Sequence, residues 1–204
     1  MLHQIMVAAP TARRFGITLA ICIGAIAAGN ASPNPSAQLP TSYCAYEVGS
    51  NLIVEAINNR NQIVGTAAVT DIIAEAFVWD LERGVRLLGM LPGAAISVGF
   101  DINDRGQAVG YSGGGQVQQQ AFIWDERNGM RRIVALGGRS ASALYINNIG
   151  QILGLSSTRD DDNERMFFRD RRGEVVDLGG GILHGLNDFG QVVHITRFVN
   201  KPAL

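Results

Sequence analysis

A short motif occurs three times along this chain at a fixed interval, and this repeat constrains the fold more than any other feature. Ala76–Asp80 reads AFVWD, Ala121–Asp125 reads AFIWD and Met166–Asp170 reads MFFRD, each starting 45 residues after the previous copy. Periods of roughly 20 to 50 residues are typical of solenoids and propellers, whose units cannot bury their apolar faces alone. The sequence therefore predicts a tandem array of similar units.

A second motif keeps nearly the same interval and predicts a β-hairpin in every unit. Its copies are INNRNQIVG from Ile57, INDRGQAVG from Ile102, INNIGQILG from Ile146 and LNDFGQVV from Leu186. Two short β-prone runs joined by Asn, Asp and Gly favour a hairpin. The last copy has no AFVWD-type motif after it, so the array contains three full units and a partial fourth.

The second repeat is the clearest guide to the strands of one unit. We predict strands at Val98–Ile102, Gln107–Tyr111, Gln120–Trp124 and Met130–Val134, with a loop at 112–115. Four short antiparallel strands in about 45 residues match the size of a propeller blade. The fold class is therefore predicted to be all-β and propeller-like, and from Tyr43 onward no stretch shows sustained helical periodicity.

Aromatic residues recur at one position in the repeat. Phe77, Phe122 and Phe167 are predicted to fill the gaps between neighbouring sheets. Trp79 follows Phe77 by two positions and so shares its strand face. We interpret Trp79 and Trp124 as packing residues, with stacking on a sugar ligand as the alternative.

These blocks resemble the HAF-repeat family of bacterial extracellular proteins. That family combines a hairpin like Ile-Asn-Asn-x-Gly-Gln-Val-Val-Gly, a strand like His-Ala-Phe-Leu-Trp and an exit like Asp-Leu-Gly-x-Leu-Gly-Gly. Residues 53–195 carry the match, which is closest in Ile102–Gly110 and Ala121–Asp125. The histidine of the family pattern is replaced here by Glu75, Gln120 and Arg165. The resemblance implies a propeller-like fold and an extracellular location, without a particular activity.

The N-terminal segment has the layout of a secretory signal peptide. Arg13 and Arg14 precede an uncharged apolar run over 15–28, and small residues follow at 29–31. We predict a signal peptide at residues 1–31, with an uncleaved N-terminal anchor as the alternative. The apolar run is short of the roughly 20 residues that a membrane span needs, so no span is expected after cleavage.

The rest of the chain divides into a linker, one domain and a tail. Residues 32–42 form a Pro-rich linker, 43–199 the repeat domain, and 200–204 a C-terminal tail. A propeller needs about four blades to close. A strand from 43–48 could complete the fourth unit and close the ring; otherwise the array is an open arc whose exposed sheet edges invite pairing with another copy.

Candidate chemical sites are few, and each has a structural alternative that we favour. Asp101–Gly106 resembles a calcium loop, but Arg105 stands at a ligand position, so we predict a hairpin turn. The acidic run 160–164 is interpreted as a solvated loop rather than a cation site. Cys44 is predicted to be a buried strand thiol, and His184 and His194 lack metal-ligand spacing.

These observations predict no catalytic, cofactor-binding or metal-binding residue and no cofactor. No nucleophile elbow, phosphate loop or dinucleotide motif occurs. Removing residues 1–31 leaves 15 Lys and Arg against 18 Asp and Glu, without a long basic stripe, so nucleic acid is not an expected partner.

The sequence therefore predicts a secreted or periplasmic, non-enzymatic β-repeat protein that binds or scaffolds a ligand, such as a surface glycan or a protein. One alternative is a carbohydrate-active enzyme, which needs two converging carboxylates. Asp80, Asp125 and Asp170 occupy equivalent positions, and we expect them to begin turns instead. The other alternative is a truncated fragment without independent function, since the third repeat has diverged and the chain ends soon after the fourth hairpin.

Overall fold

A computed structural model describes residues 20–23, 44–115, 117–160 and 163–196. Within these residues the chain forms sixteen β-strands and no helix. Accordingly, the described part of the chain contains no apolar helix long enough to span a bilayer. The predicted linker and tail, and most of the predicted signal peptide, lie outside the described residues.

The strands group into four consecutive units and one N-terminal pair. Unit 1 comprises β3 (Leu52–Ile57), β4 (Ile63–Ala68), β5 (Ala74–Asp80) and β6 (Gly84–Leu87). Unit 2 comprises β7 (Ile96–Ile102), β8 (Ala108–Gly114), β9 (Val117–Asp125) and β10 (Gly129–Arg132). Unit 3 comprises β11 (Gly137–Ile146), β12 (Ile152–Thr158), β13 (Arg165–Arg169) and β14 (Val175–Gly179). Unit 4 comprises β15 (Gly181–Leu186) and β16 (Val192–Thr196). The N-terminal pair is β1 (Ala20–Ile23) and β2 (Cys44–Glu47).

Each full unit is a four-stranded antiparallel meander in which every strand pairs with its neighbours along the chain. The first strands of the units (β3, β7, β11 and β15) contact one another in succession and so form the inner side of the array. The last strands (β6, β10 and β14) form outer sheet edges. The predicted all-β fold, with three full units and a partial fourth in a propeller-like arrangement, is confirmed.

The hydrophobic core lies between the units. We call the sheet face that carries Phe77, Phe122 or Phe167 the front face, and the opposite one the back face. Val64 on the back face of unit 1 packs with Phe122 on the front face of unit 2. Phe167 of unit 3 packs in the same way on the back face of unit 2. Each junction therefore buries one face from each neighbour, which confirms the predicted role of Phe122 and Phe167.

Within the described residues no unit precedes the front face of unit 1, and the segment after β2 covers part of this face. Val48 packs there with Ile63, Phe77 and Trp79, and all four side chains are buried. Trp79 is thus confirmed as a packing residue. The hypothesis that 43–48 completes unit 4 is wrong for this structure, because β2 pairs with β1 and Val48 shields unit 1. Since β1 lies inside the predicted signal peptide, cleavage after residue 31 would remove that pairing strand.

The predicted strands of unit 2 are correct in position, but the first three are too short and the fourth, Met130–Val134, extends two residues beyond the end of β10. The segment predicted as a loop, 112–115, belongs largely to β8, which extends to Gly114. Ser112 is fully buried there. Its Oγ accepts a hydrogen bond from Leu91 N and donates one to Ile96 O, both 3.0 Å long. A polar residue that satisfies its hydroxyl in this way can continue a buried strand.

Candidate functional site

The repeated hairpin motif builds a hydrogen-bonded column that we call the asparagine ladder (Asn58, Asn103, Asn147 and Asn187). Within unit 2, Asn103 Oδ1 accepts hydrogen bonds from the backbone N–H groups of Arg105 and Gln107, both 3.0 Å long. Its Nδ2 donates to Gln107 Oε1 at 2.9 Å. The other three units repeat this Asn–Gln pair at 2.7–2.8 Å. The Asn and Gln of the motif therefore shape the turn.

The same asparagines also join successive units. Asn58 Nδ2 donates to Asn103 O at 2.8 Å, Asn103 Nδ2 to Asn147 O at 3.0 Å, and Asn147 Nδ2 to Asn187 O at 2.9 Å. The first three asparagines are buried, whereas Asn187 is exposed. Buried carbonyls are rarely left unpaired in folded proteins. The ladder thus satisfies one backbone carbonyl at each junction.

The next residue of each turn forms a second column, which we call the alternating row (Asn59, Asp104, Asn148 and Asp188). Asn59 donates to Asp104 through its backbone N at 2.7 Å and through Nδ2 at 2.8 Å. Asp104 N donates to Asn148 Oδ1 at 2.7 Å, and Asn148 Nδ2 donates back to Asp104 Oδ2 at 2.9 Å. Asn148 then bonds to Asp188 through N and Nδ2 at 2.7 and 3.0 Å. Amides and carboxylates alternate, so each side-chain donor faces an acceptor.

The turn that resembled a calcium loop is confirmed as a hairpin turn. Asp101 Oδ2 accepts a hydrogen bond from Ile146 N at 2.8 Å, which links units 2 and 3. Burial raises the pKa of Asp101, although hydrogen bonds from the backbone of Ile146 and Ile102 oppose the shift. Asn103 and Asp104 already accept hydrogen bonds in the two columns. The oxygen atoms of this turn are therefore engaged by protein N–H groups.

Asp104 makes the alternating row sensitive to pH. The Asn59 side-chain amide, the Asn59 backbone N–H and the Asn148 amide lower the pKa of Asp104 below its ordinary value of 3.8, against a weaker desolvation effect. A carboxylate with a lowered folded-state pKa stabilises the fold above its unfolded pKa, and this contribution is lost as the pH falls through the folded value.

We expect Asp104→Asn to lower the melting temperature at neutral pH, because the new Nδ2 group would face either the Asn59 backbone N–H or the Nδ2 donors of Asn59 and Asn148, depending on the orientation of the amide. The difference from the parent protein should shrink as the pH falls from about 7 to about 2. Thermal unfolding by circular dichroism at a series of pH values measures this. Asp71→Asn is the control, since Asp71 lies in an exposed loop and accepts no hydrogen bond within the described residues. A gap between Asp104→Asn and the parent that is independent of pH would contradict the assignment.

The three equivalent aspartates after the AFVWD-type strands begin turns, as predicted. Asp80 Oδ1 accepts from Arg83 N at 2.8 Å, Asp125 Oδ1 from Asn128 N at 2.9 Å, and Asp170 Oδ1 from Glu174 N at 2.8 Å. Each carboxylate thereby satisfies a backbone N–H of its own turn. They lie in three different units, so the repeat does not bring them together as a catalytic pair.

The remaining sequence candidates do not assemble into a site in the part of the chain that the structure describes. Asp160 and Glu164 are exposed at the ends of the acidic loop, whose central residues 161–162 lie outside the described ranges. Among the described residues, no three His, Cys, Asp or Glu side chains are grouped so as to hold a metal ion. His184 is exposed on β15. Cys44 lies on β2, and its side chain is not described.

A polar groove between units 1 and 2 is the main candidate binding site among the described residues. Its volume is about 630 Å³. The charged residues that line it are Arg60, Arg83, Arg86, Arg105, Asp80, Glu82 and Glu126. The half-buried ring of Trp124 forms part of the wall and also packs against the core between the two units. Four cations against three carboxylates give the groove a positive balance, although the chain as a whole is slightly acidic.

Ion pairs fix one side of this groove and leave the other side open. Arg86 Nη2 lies 2.8 Å from Asp80 Oδ2, and its Nη1 pairs with Glu126 of the next unit. Arg83 Nη1 lies 3.2 Å from Glu126 Oε2. Arg60 and Arg105 are exposed and take part in no ion pair among the described residues. Arg60 interacts electrostatically with Asp104, but neither guanidinium group is held in an ion pair within the described residues.

Comparison between the units shows that the pair of arginines occurs only at the first of the described junctions. Arg60 and Arg105 occupy the variable position of the hairpin motif, where units 3 and 4 carry Ile149 and Phe189. The sequence shows that Arg60 and Arg105 are equivalent in the repeat. It does not show that they line a groove, because Glu126 on the other side of the groove comes from a different turn. No model of a known protein family matches the chain, and no curated protein is significantly similar to it.

Proposed function

We propose that this chain is an exported, non-enzymatic binding module that holds an acidic ligand in the groove between units 1 and 2. The observation that carries this proposal is the pair of exposed arginines, Arg60 and Arg105, beside Trp124. Residues shared by all units form the two columns and the core. Units 3 and 4 carry Ile149 and Phe189 in place of Arg60 and Arg105, so the frame does not require the two arginines.

The chemistry of the groove favours an acidic glycan. An arginine binds a carboxylate through two parallel N–H···O bonds, and two neighbouring arginines suit a polymer that carries a carboxylate on successive sugars. The partly exposed face of Trp124 offers an apolar surface on which a sugar ring can stack. Export and the resemblance to HAF-repeat proteins remain predictions from the sequence, and both agree with a ligand outside the cytoplasm.

We expect Arg105→Ile to weaken binding of an acidic polysaccharide by roughly 10- to 100-fold, since charge-assisted hydrogen bonds contribute about 1.5–3 kcal/mol each. Isoleucine is the residue that unit 3 carries at this position, so the turn tolerates it. Titration calorimetry with polygalacturonate, and with uncharged dextran as a comparison polymer, measures the change. Arg172→Ile is the matched control, because Arg172 is an exposed turn residue of unit 3 outside the groove.

Equal affinities for Arg105→Ile and Arg172→Ile would contradict the proposal, as would equal binding of the charged and uncharged polymers. The carbohydrate-active enzyme alternative is tested with the same polymers by following the release of new reducing ends. Asp80 and Glu126 both pair with Arg86, so they are held as ion-pair partners rather than as a free acid and base. Steady release of reducing ends that stops in Asp125→Asn would favour the enzyme.

A further inference from the structure

The chain contains three junctions between units, and all three have the same construction. At each one the asparagine ladder donates a hydrogen bond from one unit to the next, and the alternating row is bonded across the same step. Behind these columns, the back face of one unit packs on the front face of the next. A unit placed after unit 4, or before unit 1, would complete a fourth junction of this kind.

The back face of unit 4 is open among the described residues. Val193 is 63% exposed, although its counterparts Val64, Val109 and Leu153 are fully buried. Ile182 and Ile195 on the same face are 52% and 56% exposed. Asn187 Nδ2 donates only to Gln191 and has no onward carbonyl, unlike the three asparagines before it. Among the described residues, unit 4 therefore presents an exposed apolar patch beside unused hydrogen-bond donors.

The front face of unit 1 carries the complementary surface, which lies near Ile57 at the end of β3. Ile57 is 52% exposed there, whereas its counterparts Ile102 and Ile146 are buried. Within the described residues, Asn58 O accepts no hydrogen bond from a preceding unit, and Asn59 Oδ1 has no donor. Val48 covers the other part of this face, over Phe77, and leaves the inner end open, so a unit that docks here as at the other junctions has to displace Val48 from Phe77.

The two ends are chemically complementary in register. The alternating row ends on Asp188, and the residue that would continue it is an asparagine. Asn59 begins the row, with one free Nδ2 hydrogen and a free Oδ1. In the step from Asp104 to Asn148, Asp N donates to Asn Oδ1 and Asn Nδ2 donates to the Asp carboxylate. The step from Asp188 to Asn59 of a second copy would form the same pair of bonds.

We propose that two copies of this chain assemble head to tail, with unit 4 of each copy docking on unit 1 of the other. In this dimer the hydrogen bonds of the asparagine ladder and of the alternating row continue across both contacts between the copies. The four hairpin turns of one chain line a common open pocket of about 300 Å³, as expected if the array curves around it. Head-to-tail contacts form rings when the rotation closes. Two arcs of four units give eight, within the range of about four to eight blades seen in propellers. This proposal does not depend on the ligand of the groove.

Light scattering after size exclusion of the full secreted chain, over a wide concentration range, tests the proposal. We expect a mass of two chains for the parent protein. Val193→Arg should weaken association at least tenfold, because it places a charge in the apolar patch, while the far-UV spectrum stays unchanged. Val134→Arg is the matched control, since Val134 is 67% exposed and lies away from both ends. Its mass should remain that of the parent.

A second variant distinguishes head-to-tail docking from other contacts. Ile57→Arg should also give single chains. An equimolar mixture of Ile57→Arg and Val193→Arg should recover mixed pairs, because one intact contact can still form between the two variants. The proposal is overturned by a parent protein that stays monomeric at all concentrations, by a dimer that survives Val193→Arg, or by failure of the mixture to associate.

Discussion

Replacing Gly110 with alanine is expected to destabilise the protein by at least about 3 kcal/mol, enough to reduce its soluble yield. A Cβ atom at Gly110 would lie 1.9 Å from the carbonyl oxygen of Val98 and 3.0 Å from Phe122 Cε1. The backbone approaches this closely because β7 shifts register against β8 between Gly99 and Asp101. Neither the bulged strand nor the buried ring of Phe122 can move without opening the junction with unit 1.

Urea unfolding followed by circular dichroism measures this effect. Gly180→Ala is the matched control, because an added Cβ there meets no described atom within 4 Å and the backbone is not left-handed. It should change the stability by less than about 0.5 kcal/mol. Gly65 and Gly154 have the same close approach, at 2.0 and 2.1 Å from the facing carbonyl oxygens. A Gly110→Ala protein as stable as Gly180→Ala would show that the hairpin geometry is wrong.

Asn103→Ala is expected to cost about 2–4 kcal/mol, because it removes one hydrogen bond across the junction and three within the turn. The substitution removes the donor to Asn147 O and the acceptor of two turn N–H groups, and Asn103 is buried at the junction. An isolated turn would lose only local hydrogen bonds. The additional cost comes from the lost bond across the junction, after which Asn147 O keeps only its turn partner, Gly150 N, at 3.0 Å.

Asn187→Ala provides the matched comparison, since Asn187 forms the same turn but is exposed and has no onward bond. It should cost less than half as much as Asn103→Ala. Both substitutions are best made in the Val193→Arg chain, so that association between copies does not contribute. Equal losses at the two positions would mean that the asparagines act only within their own turns.

The repeat in the sequence predicted the units, the hairpins and the packing role of Phe122, because equivalent residues in a repeat meet equivalent surroundings. The strand limits were less predictable. Ser112 looks like a loop residue beside three glycines, yet it extends β8 because its hydroxyl finds two buried backbone partners. Such partners come from other strands and cannot be identified from local composition.

The two columns could not be predicted from the pattern alone. The sequence shows that Asn58 and Asn103 are equivalent, but equivalence does not show that one donates to the other across 45 residues. The motif was therefore interpreted only as a turn. The groove could not be predicted from the sequence for a similar reason. Arg60, Arg105 and Glu126 come from three separate turns that meet only when two units stack. Such sites depend on how far the stack rotates from one unit to the next.

Hydrogen exchange of the asparagine side-chain amides tests most directly whether the motif joins the units. The exchange is followed by NMR on the ¹⁵N-labelled Val193→Arg chain. Asn58, Asn103 and Asn147 donate across junctions and are buried, so their Nδ2 hydrogens should exchange about 100-fold more slowly than those of Asn187, as expected for sites that open rarely. Four equally fast side chains would contradict the ladder, and with it the account of how these units are held together.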